Sequence, residues 1–240
     1  MMKIKTVLKL AIFALVLLFF NSCLDDVETT PTAYGDVLVK TIQQNDTVLY
    51  GVYYYTYSYD KMDNVAVKRD GDNTVITLDS IAGRYTFFHV PELSEYKKVK
   101  PVRGKYIFDV NYNNGENQEV YDVLDSTCIL PVTIKTFNFD KEGNKIVVEW
   151  KGNLLDDQYY LVLVNENNDV VFKSGTLNVM QNYLWIYPTT SGWEKNKKPQ
   201  GGEKYKTIVT AYQYEAVATA FDLQSVSEAE SGYIEWNIND

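Results

Sequence analysis

The chain has 240 residues, with 23 basic against 32 acidic side chains and a formal net charge of −9. An acidic surface lacks the Lys/Arg footprint that phosphate backbones require, and no Gly-rich phosphate loop or basic aromatic cluster compensates, so nucleic acid is excluded as a partner. One histidine and two cysteines leave no His pair for zinc and no disulfide framework.

In chain order, Lys3, Lys5 and Lys9 precede the unbroken apolar run Leu10 to Phe20, which ends in Asn21-Ser22-Cys23. Spanning a bilayer as a helix takes roughly 20 apolar residues, so the run reads as a signal-peptide core over residues 1–22. Ser22-Cys23 at its end resembles the lipobox of bacterial lipoproteins, although Phe20 and Asn21 stand where that family prefers Leu and a small residue. The resemblance implies cleavage before Cys23, a diacylglycerol thioether on its sulfur, and a membrane partner held through that lipid anchor. An ordinary secretory signal or an uncut signal anchor is the alternative. Cleavage would remove three of the 23 basic residues and none of the 32 acidic ones, moving the net charge from −9 to −12. Leu24-Asp25-Asp26-Val27-Glu28 is similar to the acidic export signal of some Gram-negative surface lipoproteins, which implies the outer membrane and an extracellular face. The other reading is a solvated acidic tether over residues 23–33.

From Tyr34 onward, short alternating runs are separated by turn formers such as Asp70-Gly71-Asp72-Asn73, Asn113-Asn114-Gly115 and Asn165-Glu166-Asn167-Asn168-Asp169. No stretch sustains helical periodicity, so the expected class is all-β, built of antiparallel sandwiches. The first sandwich is expected over 34–127 and the second over 128–240, joined by a short linker near Asp125 to Leu130 that favours domains in contact. Stacked sandwiches of this kind would form a stalk or platform. The second half has predicted strands at Pro131 to Phe139, Ile146 to Trp150, Tyr159 to Val164, Val170 to Lys173, Tyr183 to Tyr187 and Tyr205 to Tyr212, with a last one near Tyr233 to Trp236. Trp150 on an early strand and the late Tyr205-x-x-x-Val209-x-Ala211 strand look like the fibronectin type III sandwich, itself immunoglobulin-like. That resemblance implies Trp150 as core and Tyr205 at the tyrosine-corner position. Lys105-Tyr106 repeats the theme weakly in the first half.

Candidate chemistry is sparse. His89 reads as structural, and Cys128 reads as a small apolar plug. Asp60, Asp63, Asp70 and Asp72 could supply oxygen ligands to calcium, but turn-forming Asp is the simpler reading. No catalytic motif, metal site or cofactor is expected. A glycosidase needs two placed carboxylates, which sequence alone does not select. Tyr50 to Tyr59 puts rings on both faces of one strand. With Tyr50 and Tyr54 inward, Tyr53, Tyr55, Tyr57 and Tyr59 form an outward ladder that either packs on the neighbouring domain or pairs across strands, the simpler reading, or is suited to a sugar or a protein ligand. Trp193, in the polar loop Ser191 to Pro199, is either a ligand anchor or a cap folded over the sandwich end. The expected function is a non-catalytic binding module for a glycan or protein, accessory to uptake or adhesion. A structural spacer or subunit is the alternative, and a hydrolase is the third.

Overall fold

The computed structural model describes residues 30–44, 46–81, 83–195, 197–216 and 222–237, and residues Thr32–Asp240 form one compact unit. Cys23 and its flanking signal lie outside the described residues. Among the described residues there is no α-helix and no helix long and apolar enough to cross a membrane.

The first half holds β1 (Ala33–Gln44), β2 (Thr47–Ser58), β3 (Met62–Arg69), β4 (Val75–Thr77), β5 (Asp79–Ser80), β6 (Thr86–His89), β7 (Gly104–Tyr112) and β8 (Asn117–Leu124). They pair as β1-β2-β6-β5 and β4-β3-β7-β8. Period-two side chains from both sheets, among them Val37, Val39, Tyr54, Val65, Phe108 and Val110, bury one core between them. The second half holds β9 (Thr133–Asp140), β10 (Lys145–Lys151), β11 (Gln158–Asn165), β12 (Val170–Asn178), β13 (Tyr183–Ile186), β14 (Lys204–Tyr214), β15 (Leu223–Glu230) and β16 (Ile234–Glu235). Here β13-β10-β9 packs on β12-β11-β14-β15 around Ile146, Val148, Trp150, Leu161, Tyr205 and Trp236.

Both halves share one topology. The first, second and fifth main strands make one sheet, and the third, fourth, sixth and seventh make the other. This differs from the constant-type immunoglobulin order in that the fourth strand pairs with the third instead of joining the first sheet. The result is a pair of fibronectin type III-like sandwiches in tandem. Tight turns set the registers where the sequence signals them: Asn144 closes the β9–β10 hairpin at φ 46°, and Asn165 Oδ1 accepts the N–H groups of Asn167 and Asp169 between β11 and β12. Trp150 meets Tyr159 edge-on at 5.5 Å, and the buried Tyr205 phenol donates to Glu203.

The sandwiches meet side by side. β15 pairs in parallel with β1, with Val39 opposite Ser225, Lys40 opposite Val226, Thr41 opposite Ser227 and Ile42 opposite Glu228. One sheet therefore runs without a break from β12 to β5. The connecting segment is bonded across this seam: Thr41 Oγ1 donates to Ile129 O at 2.9 Å, Ile129 N–H donates to Ser225 Oγ at 3.0 Å, and Gln224 Nε2 donates to Thr127 O at 3.1 Å. Cys128 belongs to the first core and Ile129 to the second.

One sequence expectation needs correction. The long closing strand is Leu223–Glu230, whereas Ile234–Glu235 is a two-residue strand against Lys204 and Tyr205 that seats Trp236 in the core. The strand escaped notice because its inward positions are Ser225, Ser227 and Ala229, not large aliphatics.

Gly35 lies where β1 crosses the first core, and a Cβ there would sit 2.6 Å from Phe108 Cδ2. Gly35→Ala is expected to destabilise the protein by about 1–3 kcal/mol through overpacking, read as a lower urea midpoint at unchanged m-value.

Candidate functional site

The outer face of the continuous sheet carries the side chains that do not enter either core. On β1 these are Asp36, Leu38 and Lys40, and on β2 they are Tyr53 and Tyr55, set opposite Leu38 and Asp36 respectively. On the other side of the seam, Val226 stands between Lys40 and Tyr212, and Glu228 stands beside Thr210. Together with Val90 and Leu223 these residues line a cavity of about 340 Å³ at the junction of the sandwiches. Leu38 forms part of its floor and is only 2% exposed although it points away from the core. Close by, Gly51 leaves room for Pro91 and Tyr96 to pack over the sheet.

The electrostatics are mostly neutral. Lys40 and Glu228 form an ion pair at 2.9 Å. Asp36 accepts the Leu223 N–H through Oδ2 at 3.3 Å, while its buried Oδ1 has no partner. Burial, reinforced by the nearby Asp122 carboxylate, pushes the Asp36 carboxyl up to about 8, so it holds a proton at neutral pH. Burial also pushes the Tyr212 phenol up to about 12 and raises that of Tyr53. The cavity thus offers phenol hydroxyls, a protonated acid, a threonine hydroxyl and one ion pair over an aliphatic floor. That set can stack against and hydrogen-bond a neutral polar ligand.

The structure brings two of the sequence-predicted residues, Tyr53 and Tyr55, into this cavity. Tyr57 and Tyr59 continue the row outward: Tyr55 to Tyr57 is 6.1 Å between ring centroids, Tyr57 stacks on Tyr34 at 4.9 Å, and Tyr59 meets Tyr57 edge-on at 6.3 Å. Trp193 stands apart from them, folded back on the second core. Its ring meets Phe172 at 5.3 Å and Trp236 at 6.0 Å, and its Nε1–H donates to Tyr187 O at 2.9 Å. Sequence reasoning missed Asp36, Lys40, Tyr212 and Glu228. The usable signal was Val37-Leu38-Val39, three apolar residues in succession, which marks a strand covered on both faces.

The remaining candidates have local roles. Asp63 pairs with Arg84 at 2.9 Å, and Asp72 accepts both the N–H and the hydroxyl of Thr74 at 3.0 Å. His89 Nε2 lies 3.1 Å from Glu95 Oε1, and Cys128 is buried, which pushes its thiol up. Among the described residues no group of three or more His, Cys, Asp or Glu is placed to hold a metal.

No family model and no curated protein matches the chain. Among solved structures it is similar to a biofilm-associated protein BSP domain, at 14% identity and a TM-score of 0.24, with 87% of this chain and 29% of that one covered. The FN1–FN3 domains of chicken CNTN1 align at 11% identity and 0.31, covering 85% of this chain and 66% of that one. A two-domain fibronectin type III segment of chicken tenascin aligns at 9% and 0.26, covering 85% and 99%. The chain spans under a third of the first of these. The sandwich assignment rests on strand order and pairing, not on these likenesses.

Asp36 gives the site a pH signature. Its folded-state value is raised, so the unfolded chain releases this proton from about pH 4 while the folded chain keeps it to about pH 8. The contribution of Asp36 is therefore greatest below about pH 4 and is lost as pH rises through that window. Asp36→Asn is expected to match the wild type near pH 4 and to exceed it by several kcal/mol near pH 8, at about 1.4 kcal/mol for each pH unit of that window, measured by urea unfolding at both values.

Proposed function

We propose that this chain is a non-catalytic binding module of the cell surface, held on the outer membrane by a lipid on Cys23, and that its ligand occupies the tyrosine-lined cavity on the seam. The observation that carries the reading is the convergence of Tyr53, Tyr55 and Tyr212 with the Lys40–Glu228 pair, from four strands contributed by both sandwiches. Flat rings with polar tips, set among hydroxyl donors and acceptors, suit the alternating C–H and O–H faces of a sugar, so a glycan is the favoured ligand class.

The two acids lining the cavity are both engaged by protein groups, Glu228 in an ion pair with Lys40 at 2.9 Å and Asp36 as acceptor of the Leu223 N–H, which supports binding over hydrolysis. A spacer role is the second reading, favoured by the continuous sheet that locks the sandwiches together.

A glycan array probed with the full chain tests the proposal. Tyr55→Ala and Tyr212→Ala are each expected to weaken any captured glycan about tenfold, equivalent to about 1.4 kcal/mol, with little change in melting temperature. Trp193→Ala is expected to lower the melting temperature while leaving binding per folded molecule unchanged. A glycan whose affinity ignores both tyrosines would refute the assignment of the cavity. The absence of any ligand, alongside a stable partner complex in detergent extracts, would favour the spacer.

A further inference from the structure

A second cleft lies at the junction, independent of the tyrosine cavity and larger, at about 1030 Å³. Tyr50 and Lys100 contribute to it from the first sandwich. The second sandwich contributes the β10–β11 loop with Leu154 and Leu155 and the β12–β13 loop with Val179 and Met180. Leu154 is fully exposed and Met180 is 86% exposed, and Leu155 and Leu130 beside them are also exposed. Apolar side chains converging on one cleft mark an interaction site more often than isolated ones do.

These side chains are presented by ordered loops. Asn153 N–H donates to Asp156 Oδ2 at 2.7 Å, Asn153 Nδ2 donates to Leu130 O at 2.7 Å, and the Tyr159 hydroxyl donates to the same Asp156 oxygen at 3.0 Å. The buried carboxyl of Asp156 thus spends its acceptors fixing the turn that carries Leu154. On the other loop, Asn178 Oδ1 accepts the Met180 N–H at 2.9 Å and Asn178 O accepts the Gln181 N–H at 2.8 Å. An apolar tip on a pre-formed turn loses little further entropy on docking.

Charge and shape select the occupant. In a chain of net charge −9, the ionisable side chains lining the cleft among the described residues, besides tyrosine and the buried Cys128, are Lys100 and Lys151. A second copy docked through the same cleft would set these lysines against their counterparts. The cleft is an open groove bounded by loops of the second sandwich on one side and by Tyr50 and Lys100 of the first on the other, which admits an extended chain segment. We propose that this cleft docks a segment of a partner protein that carries aliphatic side chains and carboxylates, with Leu154 and Met180 clasping it and Lys100 and Lys151 pairing with its acids.

Selection from a phage-displayed library of random 12-residue peptides on the full chain tests this. Enrichment of sequences combining Leu, Ile or Phe with Asp or Glu is expected. Their affinity should fall at least about tenfold in Leu154→Ser/Met180→Ser, whose exposed positions leave the unfolding midpoint unchanged. In Lys100→Glu/Lys151→Glu the preference should shift toward basic peptides. Enriched peptides that bind the serine variant undiminished, or that carry no acidic preference, would overturn the proposal. So would slowed amide exchange at residues 154–155 and 179–180 on adding phosphatidylglycerol–phosphatidylcholine vesicles, which would assign the cleft to a membrane. Concentration-dependent dimers lost in the serine variant would assign it to a second copy and overturn it equally.

Discussion

The parallel pairing of β1 with β15 is the constraint on which the rest of the molecule depends. Each sandwich has its own core and would be a complete sheet pair alone, but each would then leave an edge strand open. Four residue pairs, Val39 with Ser225 to Ile42 with Glu228, join those edges and turn two sheets into one. Parallel ladders occur where both faces are covered. Here one face is covered by the connecting segment, through Thr41, Ile129 and Ser225, and the other by Leu38, Val226 and the Lys40–Glu228 pair. Small inward residues on β15 let the connecting segment approach closely enough to bond, which is why serine and not valine occupies the buried positions.

The two concave features follow from this join. The tyrosine-lined cavity needs β14 and β15 beside β1 and β2, so neither sandwich alone could form it. The aliphatic cleft needs loops of the second sandwich beside Tyr50 and Lys100 of the first. A carboxyl at Asp36 is unfavourable on the outer face of such a seam, buried with one oxygen unpartnered. Local cost of this kind is tolerated where the surrounding sheet fixes the position, and it concentrates at sites shaped for something other than stability.

Much of the fold was legible in the sequence and the seam was not. Turn clusters such as Asn113-Asn114-Gly115, together with Trp150 and the Tyr205-Val209-Ala211 strand, gave the sandwich class and most strands of the second half, because large apolar residues at period two leave a local trace. Leu223 to Glu230 left none, since its inward positions are small: Ser225 is bonded by Ile129, from a distant position in the chain, and Ser227 is buried without a large apolar side chain. The inward turn of Tyr54 and the outward turn of Tyr53 and Tyr55 could be read from alternation. Their convergence with Tyr212 and Glu228 could not, because it depends on the register that sets Val39 opposite Ser225, between strands far apart in the chain, which no local pattern encodes. Trp193 shows the converse: a tryptophan in a polar loop has two readings until its neighbours are known, and Phe172 and Trp236 are those neighbours.

Calorimetric unfolding tests the central claim most directly. If the β1–β15 ladder makes the sandwiches one cooperative body, the chain melts in a single transition whose calorimetric and van't Hoff enthalpies agree. Two resolved transitions, each with the enthalpy of about half the chain, would contradict it.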